Sequence, residues 1–88
     1  MIVKTRLAEI LDELTPQLEK VCLKGHGLSS FIYAVKKDRA VEISENNGGF
    51  WLEFWEKDEN EDADAAPVKE LIVETGKDAV RNAIRWLR

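Results

Sequence analysis

The chain has few of the residues from which recognisable metal, disulfide and catalytic sites are built. Its 88 residues include one cysteine and one histidine. A single cysteine, Cys22, cannot form a disulfide within the chain. One cysteine and one histidine also fall short of the four ligands that a zinc site normally recruits. We therefore expect no disulfide framework, no metal site and no cofactor.

Long uncharged segments are missing as well. The longest runs over 25–35, which is too short to span a bilayer and contains glycine, serine and histidine. The first 14 residues interrupt their apolar side chains with charges every few positions, unlike a secretory signal peptide. We expect a cytoplasmic protein with no membrane partner.

Positive charge is in the minority, with 13 Lys and Arg against 17 Asp and Glu and a formal net charge of −4. Phosphate binding depends on clustered basic residues, so this balance disfavours a nucleic-acid partner. A basic series near the end of the chain follows the polar side of a predicted helix: Lys77, Arg81, Arg85 and Arg88. Cations near a helix C-terminus complement its dipole, and contact with an acidic partner is the alternative.

No catalytic constellation is present in the sequence. Cys22 and His26 would need hydrogen-bond reach and a third orienting group to act as nucleophile and base, and the sequence shows neither. The serines lack a nucleophile-elbow context, and there is no glycine-rich phosphate loop. We expect Cys22 to be a small core residue on a helix and His26 a loop residue. We assign no catalytic residue, and expect that the protein is not an enzyme.

An acidic loop at about 56–67 raises the question of calcium. Oxygen-bearing side chains alternate there as at the start of an EF-hand loop: Asp58, Asn60, Asp62 and Asp64. The match then fails, because Ala63 stands where the loop needs glycine and Lys69 where it needs glutamate. The sequence favours a solvated loop of mutually repelling carboxylates, with cation binding as the alternative.

The N-terminal part has the strongest periodic pattern. Apolar side chains recur at three- and four-residue spacing at Leu7, Ile10, Leu11, Leu14, Leu18, Val21 and Cys22. This spacing predicts a one-faced helix between Lys4 and Lys24. The pattern continues through Pro16, which favours a kink there, and Gly25 is then the left-handed residue that ends the helix.

Extended runs follow at 30–36, 40–44 and 50–56, and "KELIVET" is a fourth strand candidate. Asn47-Gly48 favours a tight hairpin between the second and third runs. Thr75 and Asp78 have capping-box spacing, and a last helix follows with one apolar face. We predict one α+β domain over 1–88. Its antiparallel four-stranded sheet, in the order α-β-β-β-β-α, carries the N- and C-terminal helices.

The third strand, "FWLEFWE", is apolar on both faces. Side chains alternate along a strand, so one face receives Phe50, Leu52 and Phe54 and the other receives Trp51, Glu53 and Trp55. The neighbouring runs are apolar on one face only, so their other face is expected to be solvated. Phe50, Leu52 and Phe54 are therefore assigned to the helix-covered core. The first strand is undecided: either Phe31, Tyr33 and Val35 or Ile32 and Ala34 join the tryptophan face.

Two tryptophans of ~150–250 Å² each, with aromatic neighbours, approach the ~300–600 Å² of the largest apolar patch on typical monomers. We predict a small non-catalytic protein-interaction module that self-associates or binds a protein partner through Tyr33, Trp51, Glu53 and Trp55. One specific form is an acidic inhibitor whose carboxylates contact a basic target.

Two alternatives remain open on sequence. The first is a small-ligand-binding protein or enzyme with a tryptophan-lined pocket between sheet and helices. The second is a purely structural fold in which the helices divide between the two sheet faces, or the acidic loop covers the tryptophans.

Overall fold

The computed structural model describes residues 6–26, 29–56 and 67–88. Its elements in chain order are α1 (Arg6–Leu14), β1 (Lys20–Lys24), β2 (Phe31–Lys36), β3 (Arg39–Asn46), β4 (Gly49–Glu56), β5 (Lys69–Val73) and α2 (Gly76–Leu87). Within these ranges the five strands form one sheet in the order β1-β2-β3-β4-β5, and each neighbouring pair is antiparallel. The α+β class is confirmed, with five strands where the sequence predicted four.

The additional strand comes from the second half of the predicted N-terminal helix, so the prediction of one kinked helix is wrong. Helix α1 ends at Leu14, two residues before Pro16. A residue preceding proline is pushed away from helical angles, and proline has no N–H to continue the ladder. The N–H groups of Gln17 and Leu18 close the turn onto the Leu14 carbonyl, at 2.9 and 3.1 Å. The chain then turns back and enters β1.

Strand β1 also changes the roles of two residues. Cys22 is exposed on this strand and does not lie in the core, which corrects the sequence prediction. Gly25 has the positive φ expected of it, 84°, but in the connection from β1 to β2. A Cβ at this position would lie 2.5 Å from the Ser29 carbonyl oxygen, so the backbone passes too closely for another residue.

The hairpin signal and the N-cap signal of the sequence are confirmed. Asn47 and Gly48 have φ values of 46° and 86°, and they join β3 to β4 as the two-residue hairpin loop that such angles allow. Thr75 is the N-cap of α2, and its hydroxyl accepts a hydrogen bond from the Asp78 backbone N–H at 3.1 Å. The short signals therefore fix where β4 and α2 begin.

Both helices pack on the same face of the sheet. Their buried side chains form one cluster with those of β2, β3 and β4: Leu7, Ile10, Leu14, Ile32, Ala34, Val41, Ile43, Phe50, Leu52, Phe54, Ala79, Val80, Ala83 and Leu87. The idea that the helices divide between the two faces is therefore wrong. The calcium-loop interpretation and the proposed cover over the tryptophans concern 57–66, which lies outside the described residues.

Trp86 fixes the end of α2 to the sheet. Its indole Nε1 donates to the Ala40 carbonyl at 2.9 Å, and its ring meets Phe54 edge-on with centroids 5.3 Å apart. Arg39 lies over the same indole at 4.5 Å and donates to the Trp86 carbonyl at 3.1 Å. The third tryptophan of the chain therefore holds helix to strand on the covered side.

Candidate functional site: the open face of the sheet

The sheet has one face without a described helix, which we call the open face. On β4, Phe50, Leu52 and Phe54 are at most 2% exposed beneath the helices, and the alternate residues project to the open face. Pleat geometry thus separates the two aromatic sets of this strand as the sequence predicts. On β2, Ile32 and Ala34 are fully buried, so the undecided set that joins the tryptophans is Phe31, Tyr33 and Val35.

The exposed large apolar side chains of β4 and β5 lie together on the open face, around Trp51. This side chain is 36% exposed and stands opposite Ile72 of β5, which is 65% exposed. On its other side Trp51 pairs with Ser44 of β3. Ile72 was not among the predicted site residues. The sequence could have indicated it, because Ile72 lies between inward-facing Leu71 and Val73 and must project to the other side of the strand.

Trp55 lies at the other end of the open face and is half-buried. It stands opposite Ala40, which in turn pairs with Val35. The indole Nε1 is buried and has no hydrogen-bond partner within 6–26, 29–56 and 67–88. Burial raises the pKa of the nearby Glu42 carboxylate and this N–H partly offsets that rise, but the two groups do not reach hydrogen-bond geometry. Trp55 is thus a less accessible anchor than Trp51.

Three carboxylates cross the middle of the open face on adjacent strands. Glu42 of β3 pairs with Glu53 of β4, and Glu53 pairs with Glu70 of β5. We call these three residues the acidic row. Adjacent strands are ~4.8 Å apart, so the row spans roughly 10 Å with like charges directly opposite one another.

Two carboxylates of the acidic row, Glu53 and Glu42, have raised pKa values. Burial raises the pKa of Glu53, and the neighbouring charges of Glu42 and Glu70 raise it further. Burial also raises the pKa of Glu42, against smaller opposing effects from the Trp55 indole and the Lys24 ammonium. Partial desolvation and like-charge repulsion both disfavour the charged forms. The ionised forms of these carboxylates therefore destabilise the folded protein.

Tyr33 extends the acidic row toward the β1 edge. It pairs with Glu42 on one side and with Cys22 on the other. The Lys24 ammonium lies 4.4 Å from the Tyr33 ring centroid, which is cation–π distance. The predicted site residues Tyr33, Trp51, Glu53 and Trp55 thus all project to the same face, with Trp51 and Trp55 on opposite sides of the row.

A shallow concavity of about 1090 Å³ covers the Trp51 side of the open face. The acidic row and Trp51 line it together with residues at the neighbouring strand ends: Ser29, Ser30, Phe31, Ser44, Glu45, Asn46, Leu71 and Ile72. The concavity is wide and open to solvent. The tryptophan-lined surface therefore faces away from the helices, whereas the ligand-pocket hypothesis required a position between sheet and helices.

The side chains of the open face can bury apolar surface and form ion pairs with another molecule. Within the described ranges, no group of three or more His, Cys, Asp or Glu side chains is close enough to hold a metal ion. Cys22 and His26, the candidate nucleophile and base of the sequence, are both exposed. What the face supplies is aromatic surface next to carboxylates.

No helix within the described ranges is both long and apolar enough to cross a membrane. Comparisons of the chain with protein-family models, with curated proteins and with solved structures found no match.

Proposed function

We propose that the protein is a small interaction module that binds another protein through the open face of its sheet. The observation that carries this proposal is the exposure of Trp51 and Ile72 side by side on the face that the described helices leave uncovered. Tryptophan is among the residues most enriched at the energetic centres of protein interfaces. An aromatic anchor next to an exposed aliphatic side chain has the composition of such a centre, and the carboxylates beside it correspond to the polar rim that surrounds one.

The shape of the face favours a macromolecule over a small ligand. Ligand pockets of ~300–1,000 Å³ bury most of the ligand surface. The concavity here reaches about 1090 Å³ but is open along one side of a sheet. A small molecule placed in it would keep much of its surface in water. A protein surface can cover Trp51, Ile72 and the carboxylates at once.

The test compares two variants that each remove exposed apolar surface. The first carries Trp51→Ser and Ile72→Ser on the open face. The second carries Leu23→Ser, since Leu23 is 45% exposed but pairs with the buried Ile32 on the helix side. We expect association, with itself or with a co-purified protein, to be lost in the first variant and retained in the second. Sedimentation velocity measures it, and circular dichroism verifies the fold of both.

Two results would contradict the proposal. One is unchanged association in the open-face variant. The other is unfolding of that variant under conditions where the Leu23→Ser protein is native, which would show that Trp51 and Ile72 serve the fold.

A further inference from the structure

The acidic row restricts which partner the open face can accept. Glu53, at its centre, stands between two carboxylates of neighbouring strands. Like charges directly opposite one another in a sheet are destabilising. A partner that placed apolar or acidic groups over this row would desolvate the charges without compensating them. A partner that brought cations to the row would compensate its charges with ion pairs.

A second copy of the same face is a poor occupant for this reason. In a face-to-face pair related by a two-fold axis, the same patch lies on both sides of the interface. If the axis passed through the acidic row, the centre of the row would meet its own copy. Like-charge repulsion therefore disfavours a dimer with this axis, and charge complementarity favours a basic partner.

The residues beside the acidic row favour the same chemistry. Trp51 and Ile72 lie next to the row on one side, and Trp55 on the other. A guanidinium group can stack on an indole and also pair with a carboxylate, and an ammonium can pair as a point charge. The basic partner that fits therefore also carries apolar side chains, to cover Trp51 and Ile72.

The spacing of the row favours a helix as the partner segment. Three carboxylates on adjacent strands lie at about 0, 4.8 and 9.6 Å along a line across the sheet. On a helix, residues i, i+3 and i+7 lie at about 0, 4.5 and 10.5 Å along the axis and share one face. Alternate residues of an extended strand advance by ~6.6 Å, which does not match the carboxylate spacing.

We infer that the open face binds a basic amphipathic helix that lies across β3, β4 and β5. Its cations pair with Glu42, Glu53 and Glu70, and its apolar side chains cover Trp51 and Ile72. This inference rests on the proposed function and specifies the partner's chemistry.

The test uses designed peptides, because the natural partner is unidentified. The first is an alanine-based helix of about 18 residues, longer than the ~12–15 residues at which isolated helices are marginal, with Arg at i, i+3 and i+7 and Leu beside them. The second carries Gln in place of each Arg. Binding is measured by isothermal titration calorimetry and by the change in tryptophan emission.

Two triple variants of the protein serve as the matched pair. One carries Glu42→Gln, Glu53→Gln and Glu70→Gln. The other changes Glu9 and Glu13 to Gln and Asp12 to Asn, three residues of α1, which packs on the opposite face of the sheet. Each variant changes the net charge by the same amount. A difference in peptide affinity between them therefore reports pairing at the acidic row and not the general attraction of a cationic peptide to an acidic protein.

We expect the Arg peptide to bind the unchanged protein and the helix-side variant with similar affinity, and the acidic-row variant at least about tenfold more weakly. The Gln peptide should bind all three weakly. The Arg peptide should also lose affinity as salt is added.

Three results would overturn the inference. If the Gln peptide binds as tightly as the Arg peptide and Trp51→Ser with Ile72→Ser abolishes binding, the face binds proteins without selecting charge, and the proposed function stands. If the chain forms a dimer at pH 7 that the same double variant disrupts, the occupant is a second copy. If the Arg peptide shows no binding at about 1 mM, the basic-helix inference fails, and the association experiment above decides the proposed function separately.

Discussion

Replacing Glu53 with glutamine should stabilise the fold at neutral pH, even though the change removes a native side chain. Glu53 pairs with Glu42 on one side and with Glu70 on the other. Each directly opposed like-charge pair costs roughly 0.2–1 kcal/mol. Relief of two such pairs predicts a gain of about 1 kcal/mol. For a domain of this size, that raises the melting temperature by roughly 4–8 °C.

The gain should depend on pH in a defined direction. The pKa of Glu53 is raised in the folded protein, so its protonation favours folding. The stabilising contribution of the protonated side chain is fully present below the unfolded pKa, near 4.5, and is lost as the pH rises through the folded value. The variant and the unchanged protein should therefore have the same stability at about pH 3.5 and diverge toward pH 7.

Thermal melts followed by circular dichroism at pH 3.5 and 7, with and without 1 M salt, measure both effects. Salt at that concentration shortens the screening length to about 3 Å and should reduce the gain. Glu9→Gln is the control, since it removes the same charge from the first turn of α1, where a carboxylate favours the helix. A Glu53→Gln protein that melts at or below the unchanged protein at pH 7, or keeps its full advantage at pH 3.5, would refute the reasoning.

Three further predictions concern the residues that shape the fold around the open face. Trp86→Phe should cost about 1 kcal/mol in urea denaturation, because the ring contact remains while the indole hydrogen bond to β3 is lost. Gly25→Ala should destabilise more than Gly48→Ala: both glycines have positive φ, but a Cβ meets backbone only at Gly25, and equal losses in thermal melts would contradict this. Trp51→Ser should cost no more than about 1 kcal/mol in urea denaturation, against about 2–5 kcal/mol for Leu52→Ala on the opposite side of β4, and a comparable loss for both would place Trp51 in the core.

The sequence predicted best where one local signal decides the geometry. Asn47-Gly48 can adopt the hairpin angles that few other pairs tolerate, and Thr75 has the side chain that caps a helix. The separation of Trp51 from Phe50 follows from the pleat of any strand. These features need no knowledge of distant residues, and the structure shows them at the predicted positions.

The N-terminal part was mispredicted because two periodicities coincide there. Leu18 and Val21 continue a helical spacing, but Val21 and Leu23 also alternate with Lys20 and Lys24, as in a strand. Pairing of β1 with β2 decides between them, and such pairing depends on residues about ten positions away.

The acidic row could not be assembled from the sequence for the same reason. Its members were visible as separate glutamates on three runs, but their alignment depends on two strand registers that single-sequence patterns leave open. The same registers place Ile72 beside Trp51, the pairing on which the proposed interface depends.

Because both helices pack on one side of the sheet, the two alternating sets of side chains on β4 lie in different surroundings. Phe50, Leu52 and Phe54 fill a tightly packed interior, whereas Trp51, Glu53 and Trp55 lie on the face that the described helices leave uncovered. Side chains on the solvent side can therefore be exchanged for new combinations without repacking the interior. The scaffold is accordingly suited to acquiring new binding preferences by surface substitution alone, and libraries randomised at 42, 51, 53, 70 and 72 would be a direct way to obtain them.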